Sequence, residues 1–305
     1  MTGKGEQNDP YIVSDWNDFI TATGTSGAYV EFPQNLVKTS DTEVVEGKLY
    51  VDSTGEPVTN PVPSKLSEYY ENTFVLDQNE YAPEGLTSIL EIKCTSLNGR
   101  GGMIKNIHFL VDVFLRLLSS STVRNVNFNN WLIDTNRYGY SIYGGKFYKC
   151  IFSASFSISG TFITGNDNSY GRPLVQKSSF YFTRTGDYDI NVNTTYMNKD
   201  STDNRFYFEC AGTSGQIKIY KMNRCLVQGN VGTSTLDLAQ ESKYFVVDCI
   251  ANRISGSSSS YCIANSDKCS SISGLIAVTT EQLNDAEYLS SIGFLVQTKA
   301  KTKAV

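Results

Sequence analysis

The chain carries few side chains that could act on a substrate. Asp187 and Asp189 stand two apart in Thr185-Gly-Asp-Tyr-Asp-Ile190. On a strand, such positions share a face with side chains about 6–7 Å apart, a spacing at which two carboxylates can serve as acid and base on one bond. Asp167, in Gly165-Asn-Asp-Asn-Ser169, has the surroundings of a calcium loop but supplies one carboxylate and lacks the D-x-D-x-D spacing. His108 is the single histidine. A multi-histidine zinc site is therefore excluded, and a Ser-His-Asp triad would have to use that residue. Polar turns at 185–190 and 165–169 and a solvated or corner histidine are expected, with catalysis at Asp187 and Asp189 as the alternative. No metal or cofactor is expected. Tyr138, Tyr140, Tyr143 and Tyr170 offer another chemistry, since an amphipathic ring can stack on a sugar or pack against a sister subunit.

These residues need a body to hold them. Of 305 residues, 40% are hydrophobic and 12% aromatic, enough for a sizeable core, so a disordered chain is excluded. A net charge of −5 gives no support to nucleic-acid binding. No run of about 18 apolar residues spans a bilayer, and the opening ten residues lack the apolar core of a signal peptide. The seven cysteines, Cys94, Cys150, Cys210, Cys225, Cys249, Cys262 and Cys269, include no C-x-x-C pair and mostly sit in apolar runs. Buried free thiols are expected, in a chain folded in a reducing cytoplasm. Gly99-Arg-Gly-Gly102 reads as a turn, and no phosphate-binding loop motif occurs.

The pattern divides the chain into four. Residues 1–37 read as an N-terminal cap: a strand at 10–13, a helix with Ser14 or Asp15 as its cap, Trp16, Phe19 and Ile20 on one face and Gly24 as its left-handed stop, then a strand at 27–32. Residues 38–85 are a polar excursion, an attachment segment in character, with one strand-like stretch at 46–51. Residues 86–278 show short alternating strands, at 88–94, 103–109, 122–128, 146–152, 178–182, 205–210, 222–227 and 244–250. Ile104-Lys-Asn-Ile-His-Phe109 reappears as Val123-Arg-Asn-Val-Asn-Phe128, which makes Asn106 and Asn125 equivalent and places them in a stacked or turn-forming corner. The apolar run 104–118 suits consecutive buried strands. Repeats of this period predict a solenoid of eight or nine coils, roughly 40 Å long at about 4.8 Å per coil. Residues 279–305 predict a capping helix with a Thr279–Gln282 capping box, a Leu283, Ala286 and Leu289 stripe and a Gly293 stop, followed by a basic tail. The two helical ends are expected to plug the column.

Gly3-Lys-Gly-Glu-Gln-Asn-Asp-Pro-Tyr-Ile-Val-Ser14 resembles the opening motif of phage and bacterial parallel β-helix modules. Leu283-Asn-Asp-Ala-Glu-Tyr-Leu-Ser-Ser-Ile-Gly-Phe294 resembles their closing helix. The resemblance, to proteins of the pectate-lyase-like class, implies an all-β, single-stranded right-handed parallel β-helix with short capping helices at both ends. It further implies a structural protein of a bacteriophage virion, of the tail or collar spike, tail fibre or head-decoration type. Such a protein is assembled in the host cytoplasm, partners other virion proteins, forms a homotrimer and contacts a host cell-surface polysaccharide. From the charge and hydropathy above, neither nucleic-acid binding nor membrane insertion is expected. The alternatives are a polysaccharide lyase or glycosidase on the same scaffold, and a bacterial surface adhesin.

Overall fold

A computed structural model describes residues 1–33, 49–51, 74–134, 138–210, 212–238, 242–256, 262–293 and 295–297. The chain is mostly β, and its long sheets are parallel throughout, a solenoid-like fold consistent with a β-helix. One face stacks Val75–Asp77, Met103–Lys105, Asn127–Ile133, Ile151–Phe156, Ser179–Arg184, Arg205–Glu209, Asn223–Asn230, Lys243–Gly256, Ile263–Asn265 and Ile276–Val278. A second stacks Leu90–Ile92, Leu115–Leu117, Tyr140–Tyr143, Gly160–Thr164, Ile190–Asn193, Gln216–Lys218, Thr235–Leu238, the end of Lys243–Gly256, and Cys269–Ser273. A third stacks Tyr11–Ile12, Tyr29–Glu31, Ser96–Asn98, Thr122–Arg124, Lys146–Tyr148 and Leu174–Gln176.

In-register parallel pairing sets equivalent side chains one coil apart, about 4.8 Å. The interior uses this directly. Phe128, Phe152, Phe180 and Phe206 are register partners, and their rings stack nearly parallel with centroids 5.1, 5.0 and 4.8 Å apart. Val227, Val247 and Ala264 continue the ladder. Alternation turns the residues between them outward.

The corner between the third and first faces is made by one residue per coil in the left-handed conformation. Asn125, Lys149, Lys177, Asp203, Arg224 and Tyr244 all have φ between 49° and 61° and follow residues in register. They split the strands expected over 122–128 and 146–152 into two each. Just inside the corner, small groups satisfy the turning backbone. The Cys150 N–H donates to Ser178 Oγ at 3.1 Å, the Ser178 N–H to Asn204 Oδ1 at 3.0 Å, and Asn204 Nδ2 to the Val175 carbonyl at 2.9 Å. Cys150, Cys225 and Cys262 occupy this inner corner, and six of the seven cysteines are buried and all seven are free.

Several expectations are corrected. Asn106 and Asn125 are not equivalent. Asn106 lies one residue beyond Lys105, which pairs with Asn129; its amide donates to Asp77 at 2.7 Å and its oxygen accepts from Asn130 at 2.7 Å. Asn125 donates instead to Asn98, at 3.3 Å. A 19-residue spacing is shorter than these early coils, so the repeated hexapeptide falls on different corners. Gly24 ends helix α1 (Trp16–Gly24) without a positive φ; Thr25 is the extended C-cap and Gly27 takes the left-handed turn. Asp15 is the N-cap, accepting from the Asp18 N–H.

Trp16, Phe19 and Ala22 of α1 join the main core and so close the first coils. Helix α2 (Gln78–Tyr81) follows the strand at Val75–Asp77. That strand pairs with Met103–Lys105, so the first face begins inside the segment read as excursion. The closing helix is two helices, α3 (Thr280–Leu283) and α4 (Ala286–Ser291), because Asp285 caps a second N-terminus. The Thr279–Gln282 capping box is present, Gly293 has a positive φ, and Ala286 is exposed. Leu283 and Leu289 pack on Leu226, Val246 and Ile263 in a cluster separate from the core. Those three alternate with the inward Val227, Val247 and Ala264, so α3 and α4 cover an outer flank. From the excursion, Leu49–Val51 pairs antiparallel with Leu295–Gln297. The rest of 38–72 and the basic tail lie outside the described residues.

Arg184 is 5% exposed and ties coils together through neutral acceptors. Its guanidinium donates to Thr213 Oγ1 at 2.8 Å, to the Tyr188 and Val231 carbonyls, and to Ser234 Oγ. Arg184→Met keeps the stem but leaves these acceptors dry, at about 1–3 kcal/mol for each one not rehydrated. A lowered urea midpoint with an unchanged m-value is the expected result.

Candidate functional site

Phe114 and Arg116 alternate with the buried Leu115 and Leu117, so they point out of the second face. On the next strand Tyr143 sits beside Arg116 in register. This brings together the four tyrosines singled out from the sequence. Phe114 meets Tyr138 edge-on at 5.6 Å and Tyr140 at 4.9 Å. Tyr138 and Tyr140 lie 5.9 Å apart, Tyr140 and Tyr143 5.2 Å, and Tyr143 and Tyr170 5.7 Å. The Arg116 guanidinium lies over the Tyr170 ring, 4.9 Å from its centroid, and pairs with Glu91 at 2.7 Å. Glu91 in turn holds Lys93 at 2.6 Å.

Phe114 is 6% exposed although it stands apart from the main core; the tyrosine rings supply its cover. The strip therefore has an apolar floor and a hydroxyl rim. Tyr138, 54% exposed, is its open end. Burial pushes the Tyr140 and Tyr143 hydroxyls above their ordinary range, reinforced by neighbouring tyrosines, while Arg116 acts against this at Tyr140 and a hydrogen bond with Asn168 at Tyr143. Both stay protonated donors near neutrality. Tyr170 is delivered by a loop built from local turns: Asn166 Oδ1 accepts the Asn168 N–H and Asn168 Oδ1 the Tyr170 N–H, each at 3.0 Å. Asp167 in that loop makes a two-point ion pair with Arg172, at 2.6 and 3.1 Å, which holds its carboxyl below the usual range.

Such a surface can bind a pyranose. Its ring C–H face lies against tyrosine and its hydroxyls meet phenols, an asparagine and an arginine. Sequence reasoning missed Phe114, Arg116 and Asn168. The signal for the first two was the alternation Phe114-Leu115-Arg116-Leu117 within a run read only as buried strands.

Asp187 and Asp189 lie in the bend between Ser179–Arg184 and Ile190–Asn193, not on a strand. Each reaches the next coil: Asp187 accepts the Ser214 N–H and Asp189 the Gln216 N–H, the latter at 2.7 Å. The amide of Ser214 holds the Asp187 carboxyl below its ordinary range, opposite to the raised value a general acid needs. His108 is half-buried and bridges in parallel to Leu132. Gln78 brackets its backbone with two hydrogen bonds, and its Nε2 lies 2.9 Å from Asp134 Oδ1. Among the described residues, no group of three His, Cys, Asp or Glu side chains gathers as a metal would require, and no helix is long and apolar enough to cross a membrane. No family model, no curated protein and no solved structure matches the chain.

Proposed function

We propose that this chain is a structural and recognition protein of a bacteriophage particle, built as a right-handed single-stranded β-helix and assembled as a homotrimer with other virion proteins. The tyrosine strip on its outer flank contacts a host surface glycan. The observation that carries the recognition role is the convergence of Tyr138, Tyr140, Tyr143 and Tyr170 with Arg116 on one rigid face. The particle role draws on the opening and closing motifs and on a parallel strand stack whose thiols are all free and, but for Cys269, buried.

An antibody against the protein, applied to purified particles under negative stain, tests the first claim; particles without label overturn it. Surface-glycan fragments in a calorimeter test the second. Tyr138→Ala and Tyr170→Ala each remove a ring from the outside of the fold. Each is expected to weaken glycan binding at least tenfold, about 1.4 kcal/mol, with a single cooperative unfolding transition retained. Equal affinity in both variants removes the strip from the binding site.

A further inference from the structure

A second surface, separate from the tyrosine strip, runs along the left-handed corner. Glycine and asparagine adopt positive φ most readily, and other residues there carry a strain cost. Here the corner's left-handed positions include Lys149, Lys177 and Arg224, and Arg124 and Lys146 stand on the strands leading into the corner. Arg124, Lys146, Lys149 and Lys177 are all exposed. Lys149 and Lys177 occupy successive coils in register, so two ammonium groups are stacked where like charges repel. Both sit over one ring, 5.5 and 5.8 Å from the centroid of Tyr148. Asp203 follows on the next coil but is engaged by Arg224 at 2.8 Å. Local strain and local repulsion are thus both tolerated along one edge, the pattern expected where a ligand rather than the fold selects the residues.

We propose that this corner is a docking ridge for an acidic polysaccharide, a single glycan chain bearing carboxylates that lies along the stack. Lys149 and Lys177 stand one coil apart, about 4.8 Å, close to the advance of one sugar unit. Tyr148 seats both ammonium groups, and Gln176 continues its row in register on the next coil. The ridge is one residue wide on a molecule of net charge −5. A thin chain on it stays within the Debye length, about 8 Å at physiological salt, whereas a nucleic-acid duplex would also meet the net negative field of the flanks.

The test is affinity electrophoresis of the full chain through gels containing polygalacturonate, neutral dextran, single-stranded DNA or duplex DNA. Polygalacturonate is expected to retard the protein, increasingly so at low salt, and dextran to leave the ridge indifferent. Lys149→Glu with Lys177→Glu should weaken retardation at least tenfold at an unchanged melting temperature. The charge-matched Lys4→Glu with Lys218→Glu, each variant read against its own mobility in a ligand-free gel, should be retarded as strongly as wild type. Absence of retardation by polygalacturonate, equal retardation of both double variants, or stronger retention by either DNA overturns the ridge. Loss in Tyr138→Ala or Tyr170→Ala with the ridge variant unaffected also overturns it and assigns binding to the strip; a strip without glycan affinity leaves the ridge standing.

Discussion

Above about pH 9 the folded protein is expected to lose stability steeply. Burial pushes the thiols of Cys94, Cys150 and Cys249 up to about 12 and that of Cys210 to about 11, from an ordinary 9.0. Cys225, wholly enclosed, is pushed up as well. In the unfolded chain these groups ionise near pH 9, while in the fold they keep their protons. Between about pH 9 and 12 the unfolded state therefore binds fewer protons, and stability falls as pH rises. Each such thiol contributes up to about 1.4 kcal/mol per pH unit, and burial of Tyr181 adds to the slope above its ordinary 10.0. Below about pH 9 the thiols contribute no slope. Urea unfolding under reductant at about pH 8, 9 and 10 measures this. A flat profile contradicts it, and Cys150→Ala with Cys249→Ala should reduce the slope by two thiols' worth.

Gly229→Ala is expected to cost about 2–5 kcal/mol, adding positive-φ strain to overpacking. Gly229 has φ +93, and a Cβ there would stand 2.2 Å from the Phe208 carbonyl oxygen and 3.0 Å from the Phe208 nitrogen. Phe208 is its register partner on the preceding coil, so the obstacle is ladder backbone with nowhere to go. Gly212→Ala is the comparison: φ is +74, but no atom lies within 4 Å of the added carbon. It should lose only the strain, about 1–2 kcal/mol. Equal melting temperatures for the two variants would show that the collision is relieved at no cost.

The stacked body was legible because alternation in short apolar runs is a local signal, and Phe152, Phe180 and Phe206 each carry it on their own strand. Register was not. The Ile104–Phe109 and Val123–Phe128 likeness suggested one corner for Asn106 and Asn125, but pairing is decided by coil length. Met103 meets Asn127, and Asn125 lies level with Lys149. The C-terminal helices were placed as a plug because an apolar stripe says what is buried and not against what. Leu226, Val246 and Ile263 read as core within their strands, and only the separate cluster around Leu283 and Leu289 reveals an outward apolar row. At the strip, tyrosines could be chosen by type. Phe114 and Arg116 needed the knowledge of which side of their strand faced out.

The pairing of Leu49–Val51 with Leu295–Gln297 joins a segment that leaves the ribosome before the first coil is complete to one that follows the last. Winding can proceed vectorially, each finished coil templating the next, but this junction waits until synthesis has passed the whole stack. A chain released early would hold well-formed coils and yet present 49–51 as a strand without its partner, an open backbone edge of the kind that proteases and other chains seize.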